Sequence, residues 1–374
     1  MLERGRVGQS WRDRWDSFCL VTPNWYVQLP GGTYADEDPD GFMPREEIVA
    51  YLERYASSFR APVLDRIDVT ALGADRGGGF TVDTSEGELR TDAVVLATGA
   101  FQRPHRPPTT ELPAGVLVID GEGYTNPGDL PTGAVLVVGS GQTGCQIADE
   151  LHRAGRDVIL ACGKAAWAPR RVEGRDIVSW LVETPFLEHT VDDLPTPLAR
   201  LAANFQVTGR ERGNDLHYRT LLADGVTLAG RFLGSCGSSI RFADDLQESV
   251  AWGDARYGDI CNLLKQAALT GGARPPELPE PQRLRADPPD EINVRDLGAV
   301  IFTSGYRPAY RSWVQFPDAF DDVGFPIQRD GASTVVPGLY FMGTHFLRKR
   351  KSSTLFGMGE DAEIVAHTIA DHMQ

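Results

Sequence analysis

The chain has 374 residues, enough for two ordinary domains, since a domain usually runs about 100 to 200 residues. A hydrophobic fraction of 41% beside a charged fraction of 24% excludes a chain that is disordered throughout. With 37 basic against 52 acidic side chains, the net charge of −15 opposes adhesion to nucleic acid or anionic lipid, and no apolar run is long enough to cross a bilayer.

The opening residues Met1 to Arg6 do not build the apolar stretch of a signal peptide, so a cytoplasmic protein is expected, with no nucleic-acid or membrane partner. Cys19, Cys145, Cys162, Cys236 and Cys261 include no pair at CxxC spacing, so neither a zinc site nor a redox dithiol is expected, and no metal.

The first predicted element is the short apolar stub Leu2-Glu3-Arg4-Gly5. An acidic residue there is what the second strand of a dinucleotide-binding unit shows to a ribose. In a complete βαβ unit a strand, a glycine turn and a helix, about 30 residues together, come before that position. The sequence has none ahead of it, which leaves two explanations: a true start upstream of Met1, the expected one, or a non-catalytic NADP-binding remnant with an open sheet position. Further on, Asp92 to Gly99 is an apolar strand ending in a small-residue turn that contains Thr98 and Gly99, followed by Ala100-Phe101-Gln102-Arg103-Pro104.

The strongest signal follows. Gly133 to Val138 is a β-branched apolar run, Gly139-Ser140-Gly141-Gln142-Thr143-Gly144 is a GxGxxG turn, and Cys145 to Leu151 reads as a helix. Each glycine serves a physical purpose, for Gly139 permits the turn, Gly141 lets backbone approach a pyrophosphate, and Gly144 lets the helix pack on the strand. A second strand, Asp157 to Ala161, completes a βαβ start. Its end offers Cys162-Gly163-Lys164 where an NAD-binding unit places a carboxylate, and Arg170 and Arg171 follow, so NADP(H) is expected over NAD(H). The competing reading of Lys164, Arg170 and Arg171 is a group of solvated cations.

The stretch from about Pro185 to Pro289 carries no nameable motif. It holds a strand-like Val226 to Arg231, a predicted helix Asp259 to Leu269 and a proline-rich exit, and it is expected to complete the NADP unit and cap the cleft. A second strand with a T-(G/S)-G end, Gly298 to Pro308, mirrors the one before Gly99. Gly338 to Gly343 reads as a buried strand, and Met358 to His367, with Asp361 in its first turn, as a helix whose N-terminus would face a flavin. Between them Arg348-Lys349-Arg350-Lys351 is either a phosphate-neutralising patch or a solvated loop, and His345 beside it is left unassigned.

These residues resemble the flavin-containing monooxygenase superfamily, which includes YUCCA-type enzymes and bacterial flavoprotein oxidoreductases. The matching stretches run in order along nearly the whole chain: Leu2 to Trp11, Leu20 to Pro30, Arg45 to Ala56, Ala97 to Gly99, Gly139 to Gly144, Phe302 to Tyr306, and the final strand and helix. The resemblance implies FAD and NADP as cofactors, with Glu3 and Arg4 at the FAD ribose and Gln9 and Trp11 near its pyrophosphate and flavin. It places Thr98 and Gly99 at the FAD crossing point, Gly343 and Asp361 in the flavin domain, and Gly139, Ser140, Gly141, Gln142, Thr143 and Gly144 at NADPH. It implies reduction of FAD by NADPH and delivery of one oxygen atom to a small-molecule nucleophile, with Asn24 as the catalytic candidate beside the flavin; an exposed loop asparagine is the competing reading. The family's FxGxxxHxxx(W/Y) fingerprint is not matched, because Val118 to Tyr124 carries Asp120 where a histidine is expected. Without a CxxC pair, the disulfide-reductase branch is excluded.

The fold expected is therefore α/β with two nested dinucleotide-binding, Rossmann-like domains. Residues 1–112 with 306–374 form a discontinuous FAD-type domain, and residues 113–305 form an inserted NADP-binding domain. The expected activity is that of an NADPH-dependent flavoprotein oxidoreductase, monooxygenase-like; the alternative enzyme is a flavoprotein reductase or oxidase without oxygen transfer.

Overall fold

The computed structural model describes residues 1–108, 112, 115–202 and 204–373. Its largest sheet has five parallel strands in the spatial order Thr227–Ala229, Val158–Ala161, Ala134–Val138, Leu297–Phe302, Leu117–Asp120. Leu297–Phe302 is buried at every position and Ala134–Val138 at all but its first, as befits parallel strands covered on both faces. Alternation persists inside that uniform burial. Val135, Val137, Ala299 and Ile301 face a core shared with the helix Gln142–Arg153, while Leu136, Val138, Val300 and Phe302 pack with Phe232, Ile240 and Phe242. The latter belong to an antiparallel three-stranded layer, Phe232–Cys236, Ser239–Phe242 and Glu291–Asn293, on the opposite face.

The chain leaves the central strand Ala134–Val138 toward one side of the sheet, while Leu297–Phe302 and Leu117–Asp120 lie on the other. The strand order therefore reverses at the end of that strand, where open α/β sheets bind their ligands. The helix that follows buries Gly144 to Leu151 and ends at Ala154-Gly155, where Gly155 takes a φ of 80°.

The other unit is built from both ends of the sequence. Val94–Leu96 lies parallel to Leu339–Phe341, and a short antiparallel extension, Gln328–Arg329 and Ala332–Ser333, continues from it. Val69–Ala74, Phe80–Thr84 and Gly87–Thr91 form a separate antiparallel meander. Leu2 bridges Leu64 in parallel and packs on the same core as Leu96, Leu72 and Phe341. The four-stranded sheet and the three-stranded meander therefore rest on one core. The units are joined by an antiparallel hinge ribbon, in which Arg103–Pro104 pairs with Tyr306–Arg307.

Two predicted elements are corrected in extent. The helix read as Asp259 to Leu269 begins at Leu246 and runs to Thr270; the proline-free sequence from Leu246 onward, with Gly253 set against Ala165 O where a Cβ would come within 2.7 Å, lets it continue. The helix read as Met358 to His367 extends to His372. Among the described residues no helix is long and apolar enough to cross a membrane.

Candidate functional site

The glycine turn closes on itself through contacts that leave no room for side chains. Gly139 has a φ of 106°, and a Cβ there would meet Thr303 O at 2.8 Å; one on Gly144 would meet Gly139 O at 1.9 Å. Thr303, the first residue after the neighbouring strand, locks this geometry: its Oγ1 donates to Val138 O at 3.1 Å and to Gly139 O at 2.7 Å. Gly141 caps the helix without a side chain, and the first helical hydrogen bond recorded runs from Cys145 N to Gly141 O at 3.0 Å. The earlier N–H groups, those of Gln142 and Thr143 included, point out of the helix end with no helical acceptor, which makes the turn an anion cradle.

Ser140 and Gln142 fix the turn in place. Ser140 Oγ accepts from Gly163 N at 2.9 Å and also meets the Tyr218 hydroxyl, and the Gln142 amide donates to Val207 O. A residue that sequence reasoning missed, Gln206, is buried beneath the turn and donates to Ser140 O at 2.7 Å. It lies in the stretch without a motif, 66 positions from its acceptor, and only its apolar neighbours Phe205 and Val207 hint at burial. Gly121 approaches from the edge strand, where a Cβ would lie 3.1 Å from the Thr303 methyl and 3.5 Å from that of Thr143.

The three expected cations separate. Lys164 is exposed, next to Gly163 and so beside the turn, and has no ion-pair partner among the described residues. Arg171 is exposed as well and donates to Arg212 O at 2.9 Å. Arg170 is corrected: it is 1% exposed, paired with Asp176 at 2.5 Å, bonded to Val21 O at 2.7 Å and seated over the Phe42 ring at 4.3 Å. Burial lowers its pKa while Asp176 acts the other way, and its guanidinium is committed to protein partners rather than to a phosphate.

On the opposite unit, Glu3 is half-buried, and its Oε1 accepts from Gly5 N at 2.8 Å, while Arg4 is exposed. Gln9 spends its amide locally, accepting from Arg6 N at 3.3 Å and donating to Asp13 at 2.8 Å. Trp11 packs against Phe18 with ring centroids 5.8 Å apart. Thr98 is exposed, and its Oγ1 accepts from Gln102 Nε2 at 3.1 Å. Gly99 and Gly343 have φ values of 77° and 71°, and a Cβ on Gly343 would lie 3.8 Å from Gly99 Cα, so the two strand ends open onto one narrow gap.

Asn24 plays a different part from the expected one. It is 4% exposed, its Nδ2 donates to Asp38 O at 2.9 Å, and its Oδ1 accepts from Met43 N at 2.7 Å. Both ends of the amide pin a loop to the segment before the helix Arg45–Ser58.

Asp361 is also committed, at 2% exposure and 3.1 Å from Arg348. It belongs to a network that decides the nature of the basic run. Arg348 meets Asp330 at 3.0 Å and Glu360 at 3.1 Å, while Lys349 and Lys351 both pair with Glu188 and Glu360 at 2.6 to 2.9 Å. Burial pushes the Glu360 carboxyl up, but the hydrogen bonds from Lys349, Lys351 and Arg348 outweigh it and hold the pKa at about 2. Arg350 stacks over Phe186 at 4.3 Å. Three of the four cations are thus neutralised in a clasp within the protein, and Arg350 is held against a ring.

Where the two T-(G/S)-G ends meet, Phe101 stands edge-on to Tyr306 and to His345, each with ring centroids 5.3 Å apart. His345 Nδ1 lies 3.2 Å from Ser353 Oγ, and burial lowers its pKa to about 4, so the ring is neutral at pH 7. This aromatic group was not assigned a role from sequence, because its members are far apart along the chain.

The chain is similar to several known oxidoreductases. The family described as pyridine nucleotide-disulphide oxidoreductase matches residues 1–202. The chain is 31% identical over 374 residues to an uncharacterized CzcO-like oxidoreductase of Geobacillus kaustophilus, covering 99% of this chain and 90% of that one. It is 28% identical over 387 residues to the probable indole-3-pyruvate monooxygenase YUCCA1 of Arabidopsis thaliana, covering 99% and 83%. Among solved structures, the flavin-containing monooxygenase from Stenotrophomonas maltophilia superposes with a TM-score of 0.65 at 18% identity, covering 98% of this chain and 88% of that one.

Proposed function

Since the chain belongs to the pyridine nucleotide-disulphide oxidoreductase family, we propose that it works as an NADPH-dependent flavoprotein oxidoreductase of the monooxygenase-like kind, acting on a small-molecule substrate. The observation that carries this reading is the glycine turn, whose unbonded N–H groups and side-chain-free glycines fit a dinucleotide pyrophosphate. In this reading Lys164 and Arg171 take the 2′-phosphate that distinguishes NADPH from NADH. Residues 113–305 form the NADP-binding domain, inserted into an FAD-type domain of residues 1–112 and 306–374.

The residues present fit FAD at two ends. In this reading Glu3 and Arg4 would lie toward the ribose, and the Gly99 and Gly343 ends, free of side chains, would let the ring lie over their backbone. No second GxGxxG turn for the FAD pyrophosphate occurs among the described residues. When bound, FAD supplies the electron transfer and oxygen chemistry that amino-acid side chains lack. The chain itself would hold NADPH by the turn, with the neutral His345 ring and Phe101 packed edge-on where the two strand ends meet.

The test is the visible spectrum of the purified chain incubated with FAD, before and after NADPH under anaerobic conditions. A stoichiometric flavin band bleached by NADPH is expected, and faster by NADPH than by NADH. A colourless protein that still binds NADPH would sink the flavoprotein reading. Product oxygen counted against NADPH consumed then separates oxygen transfer from oxidase or reductase turnover.

A further inference from the structure

The hinge ribbon contains an electrostatic conflict. Arg307 is directly opposite Arg103 in the antiparallel pair, so the two side chains leave the ribbon on the same face. Like charges in opposed positions destabilise a ladder. Neither guanidinium has a carboxylate partner among the described residues, and the side-chain bond recorded for the pair is Arg307 Nη1 to Tyr306 O at 2.9 Å. The chain does not lack acids, which outnumber bases by 52 to 37. Arg106, three residues along, is held by both oxygens of Asp120 at 2.7 and 2.9 Å.

One of the two unpaired charges, that of Arg307, is also partly desolvated, while Arg103 stays exposed. Arg307 is half-buried, and its pKa is lowered by burial and then by Arg103. His105, also half-buried, has its pKa lowered by burial and then by Arg307 and Arg103, so it lies within the field of both. A half-buried arginine kept charged beside a second arginine is a costly arrangement unless something negative completes it.

We propose that the face of the hinge ribbon formed by Arg103 and Arg307 binds an oxyanion of the phosphate or carboxylate class, separately from the nucleotide turn. Two planar guanidinium groups suit a ligand with several oxygens in one plane or tetrahedron, and neutral His105 adds a ring nitrogen at the margin. An anion between Arg103 and Arg307 relieves the cross-strand repulsion. Because the ribbon carries both connections between the units, occupancy of this face stiffens the joint beside Phe101 and Tyr306. The site does not depend on the flavoprotein reading and is tested without measuring turnover.

The experiment is thermal unfolding of the full chain in sodium chloride, sodium phosphate and sodium succinate at equal ionic strength, with NADP+ present throughout. Phosphate is expected to raise the wild-type midpoint by about 2–4 °C over chloride. Arg103→Glu, which converts the repulsion into an ion pair, is expected to raise the midpoint in chloride by roughly 1–3 °C and to remove most of the phosphate response. Arg307→Gln is expected to remove that response as well. A response to phosphate and succinate alike assigns a general oxyanion site, and one to phosphate alone a phosphate site; either upholds the proposal. A wild type indifferent to both anions, an equal phosphate response in wild type and both variants, or a midpoint in chloride that falls in Arg103→Glu overturns it.

Discussion

The two regions that the sequence marks for nucleotides are built in opposite ways. At the Gly139 to Gly144 turn, the groups that would meet a ligand are kept clear of protein partners, and the residues behind them, Thr303, Gln206 and Tyr218, do the fastening. On the flavin side, several polar groups that sequence nominated are themselves fasteners: Asn24 pins a loop, Gln9 bonds Asp13 and Asp361 bonds Arg348. A binding site needs backbone or side-chain groups that the fold leaves unspent. Residue type alone does not say which those are.

The largest expected effect breaks the first half of this contrast. Gly144→Ala places a methyl 1.9 Å from the backbone oxygen of Gly139 and 2.6 Å from Thr303 Oγ1. It should cost about 2–3 kcal/mol of stability and weaken NADPH binding at least roughly tenfold, read by denaturant unfolding and nucleotide titration. Unchanged affinity in a folded variant would mean that the turn does not hold the nucleotide.

Asn24→Ala tests the second half. The loss of two buried hydrogen bonds should lower stability by about 1–3 kcal/mol, while kcat at saturating NADPH stays within about twofold of wild type. A kcat that collapses while stability holds would return Asn24 to the reaction. The smallest effect sharpens the cofactor reading. Lys164→Gln should leave stability unchanged, because the side chain is exposed and unpaired, yet raise KM for NADPH about tenfold, or ~1.4 kcal/mol, with KM for NADH unaffected. Equal changes for both cofactors would detach Lys164 from the 2′-phosphate.

Much of the fold was legible because its signals are local. A β-branched run, three glycines at fixed offsets and an apolar helix face occupy 18 or so consecutive residues, and each part has its own steric reason. The parallel strands at 134–138, 158–161 and 297–302 were readable for the same cause. What escaped were partnerships across distance. Arg170 looks the same in sequence whether it meets a phosphate or Asp176, and its burial is decided by Phe42 and Val21, more than 120 residues earlier. The basic run reads equally as a ligand patch or a solvated loop in sequence, because its partners, Glu188, Asp330, Glu360 and Asp361, are scattered over the chain. The long helix from Leu246 was half-read because its early turns carry a mixed polar surface with no clean period.

Arg170 also governs how the molecule can move. The surfaces it joins are in such close contact that a Cβ on Gly209 would meet Leu20 O at 1.9 Å, and one on Gly213 would come 2.9 Å from Arg170 Nε. Swinging one surface away from the other would pull the guanidinium off Val21 O and Phe42 and leave the buried pair with Asp176 partly stripped, at a cost of about 3–5 kcal/mol if the pair itself broke. Such a seam behaves as a weld.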